Sequence, residues 1–208
     1  VGMDHRMNEA LKPIPVTDPS KHPFRFWLRC LLDLQLLTIH RFRKPRLHEF
    51  SGACLDVGAG EAPWRCLLGP SATYLGLDTC EANEFGMHKQ NDVIYYNGGT
   101  FPFGDASFDN LLCIEVLEHV PDPVAFISEL ARVIRPGGTL VLTIPWSARL
   151  HHVPHDYTRF TPYALERLFT HAGFSPVKIE PRGNDFAAMA NKMVVATIRL
   201  FHPKRHAW

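Results

Sequence analysis

Paired cysteines, a large net charge and long apolar runs are all missing from this sequence. Its five cysteines never form a C-x-x-C pair, so neither a disulfide framework nor a zinc knuckle is indicated. The net charge of +1 gives no overall field that would draw the chain to nucleic acid or acidic lipid. No apolar run reaches the roughly 18 residues of a membrane span, and the N-terminal residues contain no apolar core of signal-peptide length. We therefore expect a protein of the reducing cytoplasm without a membrane span.

The composition is that of an ordinary folded protein of 208 residues, 46% of them hydrophobic and 21% charged. Residues 1–23 contain prolines and scattered polar groups, which predict an extended N-terminal lead-in. Residues 24–46 carry apolar side chains at helical spacing, which predicts one helix over about 24–42 that ends before Pro45. This helix would act as a lid or as a homodimer element. Residues 47–208 would form the main domain.

Short apolar runs alternate with helical stretches from residue 53 onward. Strands are predicted at 53–57, 73–78, 92–96, 108–115, 137–145 and 175–181. Helices are predicted at 121–136 and at 161–174 with Thr161 as N-cap. Residues 185–201 could form a helix or a late strand, and their alanines favour the helix. This alternation predicts an α/β fold with a doubly wound, mostly parallel sheet and helices on both faces.

The stretch LDVGAGEAPW (residues 55–64) leaves the first strand through two glycines. Gly58 and Gly60 allow backbone angles and a close ligand approach that a side chain would forbid. A dinucleotide-binding G-x-G-x-x-G turn would need a glycine at position 63, where the chain has Pro63. Asp56 would repel a pyrophosphate but suits a ligand that carries an ammonium group. The turn therefore favours a nucleoside without phosphates, and S-adenosylmethionine (SAM) is such a ligand.

Several motifs in a fixed order resemble the class I SAM-dependent methyltransferases that act on small molecules. The motifs are LDVGAG, YLGLD, FPFGDASFDNLLCIEVLEHVPDP, LARVIRPGGTLVLTIP and ERLFTHAGF, and they lie within about residues 47–180. The resemblance implies a seven-strand-type Rossmann-like sheet, SAM as the cofactor, and transfer of its methyl group to an acceptor.

The resemblance also implies which residues bind the cofactor. Asp56, Gly58 and Gly60 would line its methionine end. Asp78 would accept hydrogen bonds from both ribose hydroxyls. Asn97 stands where relatives usually carry an aspartate beside the adenine amino group, a departure that an amide oxygen can accommodate as an acceptor.

Residues after the fourth predicted strand would lie at the other side of the pocket. Glu115 would come near the methionine end through its backbone, with Glu118 and His119 on the active-site rim. Trp64, beyond the glycine turn, would either cover the cofactor or fill the core between helix and sheet.

The segment WSARLHHVPHDYTRF (residues 146–160) crowds histidines, an aspartate and an arginine where such a sheet opens onto its substrate. His152 or His155 would take a proton from a hydroxyl or amine acceptor, and the sequence does not choose between them. Alternatively, Asp156 and Arg159 pair with each other and the loop merely closes the pocket. Three histidines in one loop fix no coordination geometry, so the sequence predicts no metal site.

The basic stretch HRFRKPRLH (residues 40–48) could touch RNA phosphates, an anionic substrate or a membrane surface, or could be a solvated helix end. No aromatic ladder accompanies it, so nucleic-acid binding is not expected. A small-molecule methyl acceptor is the expected partner.

The sequence thus predicts a SAM-dependent methyltransferase that acts on an oxygen, or with less support on a nitrogen, of a small molecule. The preference for oxygen comes from the histidine-rich loop, which suits the deprotonation of a hydroxyl. Two alternatives stay open. One is a non-catalytic SAM-binding regulator, and the other is an NAD-dependent oxidoreductase, which Pro63 and Asp56 disfavour.

Overall fold

The structure, a computed structural model, describes residues 15–16 and 18–200. Most of the predicted lead-in over residues 1–23 lies outside these residues. A parallel sheet of five strands forms the centre of the described chain. In chain order the strands are β1 (Gly52–Val57), β2 (Ala72–Thr79), β3 (Val93–Tyr96), β4 (Phe108–Ile114) and β5 (Ile134–Thr143). Their order in the sheet is β3-β2-β1-β4-β5, so the strand order reverses once, between β1 and β4.

Helices cover both faces of the sheet, as predicted. They are α1 (Pro23–Leu32), α2 (Leu34–His48), α3 (Pro123–Val133), α4 (Pro162–His171) and α5 (Asp185–Leu200). Successive residues of β1 point to opposite faces, so Leu55 packs towards α3 and α4 whereas Cys54 packs towards α1 and α2. A sheet covered on both faces accounts for the nearly continuous apolar runs of β1 and β4. The doubly wound α/β fold is confirmed.

The N-terminal helix prediction is wrong in two respects, because two helices occupy the segment predicted as one and the second does not end before Pro45. The chain breaks at Asp33, which has φ −116° and accepts a hydrogen bond from the Leu36 N–H as the N-cap of α2. Helix α2 then continues through Pro45 to His48. Five large apolar side chains of α1 are exposed, namely Phe24, Trp27, Leu28, Leu31 and Leu32. Their role as a lid or dimer surface stays a prediction.

The predicted sixth strand, over residues 175–181, is wrong. These residues form no sheet ladder, and Lys178 and Ile179 are exposed. Pro176 and Pro181 have no N–H to donate to a neighbouring strand, which disfavours pairing. A seven-strand sheet is therefore not confirmed, since the described residues form five strands.

The later elements agree more closely with the sequence. Thr161 caps α4 by accepting a hydrogen bond from the Ala164 N–H, and α5 is a helix. Strand β5 begins at Ile134 rather than at Gly137, because the two glycines predicted as a turn lie inside the strand. A side chain at Gly138 would come within 2.6 Å of the Asp109 carbonyl oxygen, so the close approach to β4 requires glycine there. No helix of the described chain is both long and apolar enough for a membrane span.

Candidate functional site

The predicted site residues lie at, or just after, the carboxyl ends of neighbouring parallel strands. In an open α/β sheet, ligands bind outside these ends, at the point where the strand order reverses. Here that point lies between β1 and β4. Asp56 is the penultimate residue of β1, Asp78 is the penultimate residue of β2, and Glu115 directly follows β4.

The glycine turn after β1 is tightly packed. Gly58 has φ +76° and Gly60 has φ +55°, in the left-handed region that favours glycine. A Cβ on Gly58 would lie 2.2 Å from the Val116 Cγ2 atom, so the turn presses directly against the segment that follows β4. After the turn, residues 65–67 form a single 3-10 turn.

Asp78 is joined to the glycine turn. Its Oδ2 accepts a hydrogen bond from the Gly60 N–H at 2.7 Å, and its Oδ1 accepts one from the Thr79 N–H at 2.7 Å. Burial raises the pKa of Asp78, and these two hydrogen bonds oppose that rise. Each oxygen keeps capacity to accept a further hydrogen bond. Asn97 follows the adjacent β3 and is exposed.

Asp56 lies beneath the turn rather than on the surface of the pocket. It is 1% exposed, and its Oδ2 accepts a hydrogen bond from the Tyr74 hydroxyl at 3.0 Å. Burial raises the pKa of Asp56 to about 7, although the Tyr74 hydrogen bond and the Arg43 charge act in the opposite direction. A nearby cation would therefore shift Asp56 towards its ionised form.

Arg43 of α2 is a site residue that the sequence did not reveal. Arg43 is fully buried, so the prediction of a solvated helix end does not hold for this residue. Its Cζ lies 3.1 Å from the ring centroid of Trp64. Its Nε donates to the Ile39 carbonyl, while Nη1 and Nη2 have no hydrogen-bond partner among the described residues. Burial lowers the pKa of Arg43, and the charges of Asp56 and Glu115 raise it. Trp64 is buried in the core as the platform for this guanidinium.

Glu115 connects three parts of the chain beside Arg43. Its Oε2 accepts a hydrogen bond from the Gln35 Nε2 at 2.8 Å, and its Oε1 accepts one from the Thr143 Oγ1 at 2.8 Å. Arg182 Nη2 lies 3.2 Å from the same Oε1, while Arg182 Nη1 is buried without a hydrogen-bond partner in the described chain. The Glu115 N–H donates to the Thr143 carbonyl. Glu115 therefore engages its carboxylate as well as its backbone.

The histidines after β4 and β5 gather into one cluster. The ring centroid of His119 lies 4.6 Å from that of His151 and 4.9 Å from that of His152. Burial and the neighbouring histidines lower the pKa of His119 to about 4 and that of His152 to about 3. His155 lies outside this cluster, with its Nδ1 3.0 Å from the Tyr157 hydroxyl. The sequence placed His119 only on the rim, since its contact with the later loop depends on the pairing of β4 with β5.

Two carboxylates lie beside the histidine cluster, one paired with an arginine and the other without a hydrogen-bond donor from another described residue. Asp156 forms a two-pronged ion pair with Arg159, at 2.5 Å and 2.7 Å, which is the structural pairing that the sequence left open. Glu118 is buried, and neither of its carboxylate oxygens accepts a hydrogen bond from another described residue. Burial and then the charge of Glu115 raise the pKa of Glu118 to about 8.

Comparisons with known proteins match part of the chain to methyltransferases. Residues 55–142 match a family model described as a methyltransferase domain. A probable SAM-dependent methyltransferase of Mycolicibacterium smegmatis is 31% identical over 118 residues, which cover 55% of this chain and 45% of the relative. A ubiquinone biosynthesis O-methyltransferase of Xanthomonas campestris is 57% identical over 37 residues, or 18% of this chain and 16% of the relative.

A solved structure agrees with the fold. Phosphoethanolamine N-methyltransferase 2 of Haemonchus contortus, in complex with SAM, matches with a TM-score of 0.54 at 17% identity, over 81% of this chain and 44% of that chain. At this level of identity the likeness shows the fold alone. The chain spans about half the length of the first curated relatives that it matches.

Proposed function

Because residues 55–142 belong to a class I SAM-dependent methyltransferase domain, whose cofactor is SAM, we propose that the protein methylates an oxygen of a small-molecule acceptor. The observation that carries this proposal is the Asp78 carboxylate held on the glycine turn by the Gly60 N–H at the carboxyl end of the sheet. When bound, SAM supplies a methyl group already activated on sulfur. The chain's own residues then have to bind SAM and the acceptor, align the two, and exclude water from the site.

The charged groups around the turn fit the amino-acid end of SAM. Three buried guanidinium nitrogens have no hydrogen-bond partner among the described residues: Arg43 Nη1, Arg43 Nη2 and Arg182 Nη1. The carboxylate of SAM would accept hydrogen bonds from these groups. Its ammonium group would stabilise the ionised form of Asp56. Asp78 would hold the ribose, and Asn97 would reach the adenine amino group from the end of β3.

The cofactor assignment predicts a specific loss of binding. Calorimetric titration should show that the wild type binds both SAM and S-adenosylhomocysteine but not NADH. Asp78→Ala should weaken both sulfur ligands by about 100-fold, since it removes two hydrogen bonds to a charged acceptor. Asp105→Ala is the matched control, because that carboxylate is exposed and pairs with Arg132. A folded wild type that binds NADH and neither sulfur ligand would contradict the assignment.

We assign the role of base to His155 in preference to His152. Both were candidates from the sequence, but the low pKa of His152, about 3, makes it a poor proton acceptor near neutral pH. His155 lies on the same loop, outside the half-buried histidine cluster. Oxygen remains preferred over nitrogen because a hydroxyl must lose its proton to react. The short match to an O-methyltransferase supports the same preference.

The base assignment predicts different effects at the two histidines. With a panel of small hydroxyl and amine acceptors, S-adenosylhomocysteine release by His155→Ala should fall about 100-fold or more in kcat, with little change in KM. His152→Ala should retain more activity than His155→Ala. Full activity in His155→Ala would remove the base from the mechanism. Turnover of amines but of no hydroxyl would contradict oxygen as the acceptor.

A non-catalytic SAM-binding regulator is the alternative, and it requires cofactor binding without turnover of any acceptor in the panel.

We also propose a reducing compartment, the cytoplasm, because all five cysteines are free thiols.

A further inference from the structure

We propose that His119, His151, His152 and Glu118 bind one divalent transition-metal ion of the zinc class. The sequence alone predicted no metal site, because it showed two of these histidines on one loop and nothing that would fix their geometry. The folded chain adds His119 and Glu118 from the segment that follows β4. The proposal concerns metal binding and is independent of methyl transfer.

Hydrogen bonding assigns the protonated nitrogen in two of the rings. His119 Nδ1 lies 2.8 Å from the His155 carbonyl oxygen, and His151 Nδ1 lies 3.0 Å from the Arg149 carbonyl oxygen. A carbonyl oxygen only accepts hydrogen bonds, so each Nδ1 carries its hydrogen and donates it. In the neutral rings both Nε2 atoms are then bare lone pairs. Donation from the second ring nitrogen to a carbonyl is what orients most metal-binding histidines.

These two lone pairs face each other. His119 Nε2 and His151 Nε2 are 3.2 Å apart, and neither can donate to the other in this arrangement. Two opposed lone pairs repel unless a cation lies between them. With zinc–nitrogen bonds of 2.0–2.1 Å, the nitrogens of a tetrahedral site are about 3.3 Å apart, which matches the observed separation.

His152 and Glu118 complete a four-donor set. One ring nitrogen from each of the three histidines lies within 4.8 Å of the other two, so modest side-chain rotations would complete the coordination. Glu118 Oε1 is 3.6 Å from His119 Nε2 and 4.0 Å from His151 Nε2. This carboxyl group is fully buried and has no hydrogen-bond donor from another described residue, so its ionised form is costly. A bound cation would stabilise that ionised form.

Coordination would tie the segment after β4 to the loop after β5. Asp156 supports the same arrangement from the outer side, because its Oδ2 lies 3.3 Å from His151 Nδ1 while both of its oxygens pair with Arg159. His155 stays outside the ligand set and contributes only its backbone carbonyl.

The test uses Co²⁺ and Zn²⁺ alone, added to the metal-free full chain. We expect one ion per chain, the intense visible absorption of tetrahedral Co²⁺, its displacement by Zn²⁺, and a rise in Tm with metal concentration. X-ray absorption of the Zn²⁺-loaded wild type should show three imidazole nitrogens and one oxygen. Failure of the wild type to bind either metal would overturn the proposal, and a proton shared by His119 and His151 would then explain their contact.

Variants separate the ligands from other histidines. His151→Gln and His119→Gln should each weaken Zn²⁺ binding by about 100-fold or more, at least as much as the loss of an outer-shell partner. Glu118→Gln should weaken it while keeping the side-chain volume. His171→Ala, at an exposed histidine of α4, should bind like the wild type. Unchanged affinity in His151→Gln, or an absorption spectrum without imidazole ligands, would refute the site without requiring any variant to be active.

Discussion

Gly58→Ala should lower the free energy of unfolding by about 2–4 kcal/mol, because it combines an unfavourable φ with overpacking in the core. The new Cβ would lie 2.2 Å from Val116 Cγ2 at a residue with φ +76°. The turn can relieve this contact only by moving away from the segment after β4. Such a movement would also shift the Gly60 N–H away from Asp78, so cofactor affinity should fall by more than tenfold. Denaturant unfolding and calorimetric titration measure the two effects.

Gly137→Ala separates strain from packing. Gly137 has φ +80°, close to that of Gly58, but a Cβ there meets nothing within 4 Å. This control should lose only about 1 kcal/mol and leave cofactor affinity unchanged. Adding Val116→Ala to Gly58→Ala should restore the packing part of the loss and not the backbone part. Equal losses in the two glycine variants would show that the contact with Val116 does not matter.

Arg43→Met should weaken S-adenosylhomocysteine binding by about 10- to 100-fold, because it removes charge-assisted hydrogen bonds to the ligand carboxylate. Binding of 5′-methylthioadenosine should hardly change, since that ligand has the nucleoside but no amino-acid group. The affinity of Arg43→Lys for S-adenosylhomocysteine should lie between those of the wild type and Arg43→Met, because a lysine keeps the charge but not the planar pair of donors. Calorimetric titration of each variant with both ligands measures the difference.

The comparison of the two ligands excludes a purely structural effect of Arg43. The side chain covers the Trp64 ring in the core, so its loss could loosen the whole pocket. A loosened pocket would weaken both ligands alike, and that result would contradict the carboxylate assignment. Arg46→Met is the matched control on the same helix, where the guanidinium pairs with Glu180 at the surface.

Local sequence signals predicted the glycine turn and most elements of the sheet. Alternating apolar runs predicted β1, β2 and β4, and the capping role of Thr161 was confirmed. The helix break at Asp33 was missed, although a capping aspartate before an apolar run is a known start signal. The failed strand at residues 175–181 shows the converse limit. Extended, apolar sequence becomes a strand only where a neighbouring strand offers hydrogen bonds, and no short window of sequence contains that partner.

The sequence by itself determined the α/β class and the turn at Gly58 and Gly60, because both depend on neighbouring residues and on backbone angles. It also indicated SAM, since an acidic residue before the turn suits an ammonium group. Tertiary structure alone decided the burial of Arg43 and the meeting of His119 and Glu118 with His151. Helical spacing in a basic stretch does not say which arginine faces the core. Residues that follow different strands come into contact only once those strands have paired in the sheet, so the sequence does not show that these side chains form one site.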